Sequence, residues 1–307
     1  MSGAFAYYPG CSGLGTSREY DISTRAVCAA LGLKLVDIPD WSCCGSSPAH
    51  TVDHCLSAAL AARNLELVEN MGLSTAVTPC PSCLTNLKTA THRMQGPAFR
   101  EKVNRLLERP HKGLVESMSV LQLVVERIGA EAVSAMVRRP LKGIRLAPYY
   151  GCIMNRPPEI MAFDDPENPT AMDEIITALG AEVVPFPLKV ECCGASYGVT
   201  RKDIVARLSG KLLSCADEVG AEAIVVACPM CQMNLDLRQK QVGQATGVNF
   251  NMPVLYFTQL MGFALGLPDE DLGLDKLCVS PGPLLAKVLA AESGMVETKS
   301  SRGSLKE

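Results

Sequence analysis

Ser42-Cys43-Cys44-Gly45-Ser46-Ser47 and Glu191-Cys192-Cys193-Gly194-Ala195-Ser196 are two versions of one motif in the same chain. Working outward from them, the match continues on both sides. Upstream, Tyr7-Tyr8-Pro9-Gly10-Cys11 has a counterpart in Tyr149-Tyr150-Gly151-Cys152. Downstream, Cys80-Pro81-Ser82-Cys83 matches Cys228-Pro229-Met230-Cys231, each with an asparagine three residues later, Asn86 and Asn234. The offsets are 141 (Cys11 to Cys152), 149 (Cys43 to Cys192) and 148 (Cys80 to Cys228). Three blocks in one order at nearly constant spacing identify two copies of one domain.

The residues around the blocks point to an α/β fold. In the first copy, strands are expected at 4–8, 34–38 and 75–78, with helices over 17–31 and 52–71. In the second, strands are expected near 144–149, 182–186 and 223–227, with helices near 171–179, 201–219 and 231–244. Short apolar strands alternating with helices imply parallel βαβ units. The motif cysteines then fall at or beyond the C-terminal ends of strands, where open α/β sheets carry their sites. The fold class is therefore two homologous βαβ-type domains with parallel sheets, related by a pseudo-twofold and joined by a helical connector. The expected boundaries are a first domain over 1–95, a connector over 96–140, a second domain over 141–265 and a C-terminal extension over 266–307. Residues 97–139 read as helical, and 297–307 as a disordered tail or a partner-binding strap.

Composition removes several classes of function. The 307 residues fit two domains, and 48% hydrophobic with 20% charged residues excludes global disorder. A net charge of −3 gives no basic surplus for nucleic acid or an anionic membrane surface. The longest apolar candidate, Val254 to Leu267, is too short for a membrane span and contains Gln259. No secretory signal is recognised at Met1 to Ala6, so a cytoplasmic location is expected. In that setting 14 cysteines suggest metal ligands or redox groups before structural disulfides.

Ten of the 14 cysteines sit in the repeat, five per copy. A structural zinc site takes four ligands, whereas adjacent thiolates leaving one turn in different directions suit neighbouring metal atoms. This favours a polynuclear iron–sulfur cluster in each copy. Gly45 and Gly194 permit the tight turn after each pair. Pro81 and Pro229 place both Cys-x-x-Cys hooks at helix starts, where thiolate charge is favoured.

The doubled pattern resembles the cysteine-rich CCG domains of the B subunit of heterodisulfide reductase, over Tyr7 to Asn234. The resemblance implies two noncubane 4Fe-4S clusters. Cys11, Cys43, Cys44, Cys80 and Cys83 would hold one, and Cys152, Cys192, Cys193, Cys228 and Cys231 the other. It further implies an oxidoreductase that cleaves a small disulfide into two thiols between the copies, using one electron from each cluster, with Cys44 and Cys193 as catalytic residues. The chain has neither a ferredoxin Cys-x-x-Cys-x-x-Cys run nor a Gly-x-Gly-x-x-Gly fingerprint. The resemblance supplies the missing electron carriers as partners: a ferredoxin-like iron–sulfur protein (the family's C subunit) with a flavin-containing protein (its A subunit).

Other readings compete. Related CCG proteins occur beside quinone-linked dehydrogenases and sulfur-oxidising complexes, where thiol or persulfide oxidation or electron transfer replaces disulfide reduction. A zinc-stabilised scaffold is a further alternative, and a glutaredoxin-like dithiol at Cys80 and Cys83 leaves the doubled Cys-Cys-Gly unexplained. His50 and His54, four apart on one expected helix face, are either a surface pair or a proton source for a leaving thiolate. Trp41 is expected in the core or as a lid over the first cysteine pair. Lys189 and Arg156 are either solvated charges or anion ligands. The insert from Arg156 to Pro169 is either a surface loop or a substrate entrance. Cys28, Cys55, Cys215 and Cys278, outside the repeat, are expected as small buried side chains.

Overall fold

The computed structural model describes residues 3–46 and 48–290. Its strands form two parallel four-stranded sheets. The first contains β1 (Ala4–Tyr7), β2 (Lys34–Asp37), β3 (Thr75–Thr78) and β4 (Glu116–Ser119), in the order β2-β1-β3-β4. The second contains β5 (Arg145–Tyr149), β6 (Glu182–Val183), β7 (Ala223–Val226) and β8 (Val254–Tyr256), in the order β6-β5-β7-β8. The same order recurs, as expected of a repeat. Central strands β3 and β7, with sequences TAVT and AIVV, are buried throughout, as parallel strands covered by helices on both faces must be.

Several elements depart from the expectations: β8 is not among the expected strands, the strand expected over 182–186 is only Glu182–Val183, and the helix expected over 52–71 starts at His54. Within the stretch read as helical, Glu116–Ser119 is a strand that pairs in parallel with β3. The helix expected over 231–244 is instead two, Pro229–Leu235 and Gln239–Thr246. At the break, Asp236 is buried and accepts the backbone N–H groups of Cys278 and Val279 at 2.7 and 3.0 Å. The tail at 297–307 lies outside the described residues.

The two halves share one core. Helix Arg18–Ala30 of the first half packs on helix Phe257–Ala264, which follows β8. Reciprocally, helix Ala171–Ala178 of the second half packs on helix Val120–Arg127, which follows β4. Equivalent surfaces thus exchange places across the seam, the signature of a two-fold interface. Val27, Leu121, Leu123, Ile175, Leu260 and Met261 belong to one continuous apolar cluster. Across the seam, Tyr20 stacks on Tyr256 with ring centroids 4.0 Å apart, and Ser23 Oγ lies 2.7 Å from Thr258 Oγ1. A separate cluster, including Leu65, Val68 and Leu87, fills the other face of the first sheet.

The insert after Cys152 is a brace. Its short helix Pro158–Met161 contacts helix Pro81–Arg93 of the first half, and Lys88 Nζ donates to Met161 O at 2.5 Å. The seam therefore runs past both sets of motif cysteines.

Candidate functional site

Every motif cysteine follows the C-terminal end of a strand. Cys11 lies in the short helix Gly10–Leu14 after β1, and Cys152 in the turn after β5. Cys80 and Cys228 occupy extended N-cap positions, with Pro81 and Pro229 opening the helices behind them. Both hooks therefore begin helices, as the prolines require.

The first five thiols converge. Cys44 Sγ lies 3.4 Å from Cys83 Sγ, Cys83 contacts Cys80, and Cys43 interacts with both Cys44 and Cys11. In the second half Cys193 Sγ is 3.7 Å from Cys231 Sγ, Cys231 contacts Cys228, and Cys152 contacts Cys192. Burial follows the same plan in both. Cys44, Cys80 and Cys83 are buried, as are Cys193, Cys228 and Cys231. Cys11 and Cys43 are exposed, and Cys152 and Cys192 half-buried, so each set has a closed floor and an accessible rim.

Charge is distributed unevenly within each set. Contact with Cys83 brings Cys44 down to about 7, and contact with Cys231 brings Cys193 down to about 7. Contact with Cys152 brings Cys192 to about 6, while Cys83, Cys231 and Cys152 move up as the protonated partners. The turns assist. Gly194 N–H donates to Cys192 Sγ at 3.3 Å and Ala195 N–H to Cys193 Sγ at 3.4 Å. In the first half the N–H groups of Gly45 and Ser46 hold Cys43 and Cys44 in the same way.

The backbone also leaves room at the sulfurs. Gly10, at φ +66°, would place a Cβ 3.1 Å from Cys83 Sγ. Gly151, at φ +74°, would place one 2.8 Å from Cys231 Sγ. A side chain is thus excluded on two counts, the left-handed backbone and the sulfur beside it. Among the described residues no group of three or more His, Cys, Asp or Glu side chains is arranged to hold a single metal ion. Five thiols, three of them buried, with aligned N–H donors and an open rim fit the donor set of an iron–sulfur cluster in each half.

Two kinds of supporting residue stood in the matched blocks without a role. Tyr8 Oη donates to Ser42 O and Tyr149 Oη to Glu191 O, both at 2.7 Å. Each tyrosine thereby pins the residue before its cysteine pair. Asn86 Nδ2 donates to Cys44 O, and Asn234 Nδ2 to Cys193 O and Ala195 O. Their recurrence at equal spacing was the available signal.

Other expectations resolve individually. His50 and His54 do not share a helix, because Asp53 caps a new one at His54–Asn70 by accepting from Cys55 N and Leu56 N. Both nevertheless line the same pocket. Trp41 is half-buried, edge-on to Tyr8 with centroids 5.2 Å apart. Lys189 is paired with Asp173 and Pro169 O, and Arg156 with Glu167 and Pro166 O, so neither is a solvated charge or an open anion ligand. Cys28 is buried as expected, but Cys55 and Cys215 are half-buried and Cys278 is exposed.

Two parallel α/β sheets, each with a five-cysteine edge built on a Cys-Cys-Gly turn, define a class. The chain belongs to the CCG cysteine-rich domain family, whose model matches it twice, over residues 5–88 and 146–236. Among individual proteins it is 34% identical to the 8-methylmenaquinol:fumarate reductase membrane anchor subunit of Wolinella succinogenes, covering 90% of this chain and 96% of that one. It is 30% identical to a protein of Archaeoglobus profundus described as like the B subunit of heterodisulfide reductase, over 90% and 95% of the two chains. With the B subunit of the ferredoxin:CoB-CoM heterodisulfide reductase of Methanosarcina mazei it shares 29% identity, over 89% and 93%. The tandem arrangement and these relatives place the chain with the heterodisulfide reductase B subunits within the family. A hypothetical protein from Helicobacter pylori has the same fold, with a TM-score of 0.72 at 15% identity; the match covers 90% of this chain and 52% of that one. No described helix is long and apolar enough to cross a membrane.

Proposed function

We propose that this chain is the catalytic subunit of a heterodisulfide reductase-type complex, cleaving a small disulfide into two thiols at the seam between its halves. The observation that carries this is the duplication of the site, two five-thiol sets of the same plan in one chain, each with its three inner cysteines buried. Cys11, Cys43, Cys44, Cys80 and Cys83 would hold one noncubane 4Fe-4S cluster, and Cys152, Cys192, Cys193, Cys228 and Cys231 a second. Splitting R–S–S–R′ into RSH and R′SH consumes two electrons and two protons, and bound clusters supply electrons one at a time, so two sites match one bond.

The chain's own residues prepare that chemistry. The buried floor cysteines keep water from the inner side of each set, while Cys11, Cys43, Cys152 and Cys192 leave the outer side within reach of a small molecule. Tyr8, Tyr149, Asn86 and Asn234 hold the Cys-Cys-Gly turns, so the aligned N–H groups need not reorganise as charge changes at sulfur. Electrons would arrive from a ferredoxin-like iron–sulfur partner of the C type, supplied by a flavin-containing partner of the A type, in the cytoplasm.

The Wolinella relative favours a second reading, an electron-transferring subunit of a quinol-linked reductase. Iron, acid-labile sulfide and zinc per chain, measured after anaerobic purification, come first. About eight irons with matching sulfide agree with two cysteine-held clusters, whereas zinc with little sulfide after reconstitution overturns the proposal. Disulfide turnover by the reduced protein, lost in Cys44→Ser and in Cys193→Ser, then distinguishes disulfide cleavage from oxidation by a quinone analogue alone. Full turnover after either substitution would refute the two-site scheme.

A further inference from the structure

The two halves differ in the cleft behind their Cys-x-x-Cys helices. In the first half a pocket of about 320 Å³ opens between helices His54–Asn70 and Pro81–Arg93, within the size range of small-molecule sites. Its wall includes Ser46, from the turn after the first cysteine pair, Ser82, between Cys80 and Cys83 in the first turn of its helix, and Ile153, which follows Cys152 across the seam. It therefore reaches chain segments that carry cysteines of both sets. His50, His54 and Arg93 supply its polar rim, and no Asp or Glu is among the described residues lining it. The Arg93 guanidinium has no hydrogen-bond or ion-pair partner among the described residues, unlike Arg156, Arg201 and Arg238.

The repeat provides an internal control. With a spacing of 148, Ala90 corresponds to Arg238, Arg93 to Gln241 and His54 to Lys202. A second-half pocket of about 330 Å³ exists at the equivalent helix pair, but no cysteine-loop residue lines it. Arg238 lines it instead, bonded to Asn234 Oδ1 at 3.2 Å and Gln241 Oε1 at 3.1 Å and packed against Gly198. That cleft also carries Asp203, paired with Arg201 at 2.7 Å. Where the second half has a bonded arginine, the first has Ala90 and a passage to the cysteine loops.

We infer that the first-half pocket binds the anionic end of the small thiol or disulfide, with Arg93 as its charge partner, and that the second half has no such site. This rests on the proposed reading of the chain as acting on small sulfur compounds. Arg93 is a specificity-determining residue in this account, since the forked N–H donors of its guanidinium suit a carboxylate, sulfonate or phosphate. The imidazoles of His50 and His54 provide further N–H donors. Ala58, Ala90 and Ile153 leave an apolar side for a short carbon chain.

The test uses the cluster-loaded full chain and a redox-inert probe, 3-(methylthio)propionate, with its neutral amide as control, in equilibrium dialysis at low salt. The expected result is one site per chain, with the carboxylate bound roughly tenfold tighter than the amide. Arg93→Ala removes that preference, Arg93→Lys restores part of it, and Arg238→Ala leaves it unchanged. Equal binding of acid and amide, or a preference that survives Arg93→Ala, overturns the inference. Because the probe has no disulfide, binding is scored apart from turnover. A chain that binds it as expected yet cleaves no disulfide loses the proposed reaction alone. A chain that cleaves disulfides without an Arg93-dependent preference loses the pocket alone.

Discussion

Alanine at Gly151 should empty the second thiol set while sparing the first. At φ +74° an L-residue pays the left-handed cost, about 1–2 kcal/mol. Its Cβ would also sit 2.8 Å from Cys231 Sγ, so ordinary contact at 3.4 Å requires that sulfur to retreat by 0.6 Å. Cys231 is buried on the floor of its set, where neighbouring atoms leave little room to yield. Gly10 is the matched control, with a similar φ of +66° and a contact of 3.1 Å, so Cys83 Sγ need move only 0.3 Å. The two alanines share the backbone cost and differ at sulfur. In thermal unfolding of the cluster-free protein both should lower Tm, by about 2–4 °C for each kcal/mol lost. After anaerobic reconstitution and desalting, Gly151→Ala should retain about half of about eight irons, with sulfide falling in step, and Gly10→Ala should retain most of them. Full iron and sulfide in Gly151→Ala, alongside the expected drop in Tm, would show that the Cys231 sulfur position does not govern loading.

Further outcomes can be measured on the same protein. Asn234→Ala removes the amide that holds Cys193 O and Ala195 O, and should lower iron retention in the second half with a stability loss of about 1–3 kcal/mol; an unchanged urea midpoint and iron content would count against that anchoring role. Ser23 and Thr258 meet at 2.7 Å across the seam, and a double-mutant cycle of Ser23→Ala with Thr258→Val should give a coupling of about 1 kcal/mol, whereas strict additivity would deny the contact. His111 is buried, and burial pushes its pKa below the usual histidine range despite Glu69 3.0 Å away. The unfolded chain therefore takes up the proton first as pH falls below about 6.5, and native stability drops from there until the depressed value is passed. His111→Gln should flatten that part of the urea-midpoint profile; an identical pH dependence in the variant would place the titration elsewhere.

Much of the fold could be read because cysteines mark the strand ends at regular intervals. The repeated Tyr, Cys-Cys-Gly and Cys-x-x-Cys blocks disclosed both halves, and proline after the first cysteine of each hook located two helix starts. Features depending on partners distant in sequence were hidden. Glu116–Ser119 has no strongly apolar alternation and becomes a strand by pairing with β3. The helix break at Asp236 depends on N–H groups at 278 and 279. Lys189 and Arg156 looked like free charges until Asp173 and Glu167 came beside them. The histidine pair shares a pocket but not the expected helix, since the helix boundary at Asp53 separates them.

The reciprocal helix exchange across the seam has a consequence for divergence. In a two-fold assembly of separate identical chains, every substitution appears twice, so an arginine that enters one cleft enters both. Joining both copies in one polypeptide lifts that restriction, because Ala90 and Arg238 are encoded independently although they occupy corresponding places. The common frame can then preserve two matched thiol sets while admitting cargo from one side only.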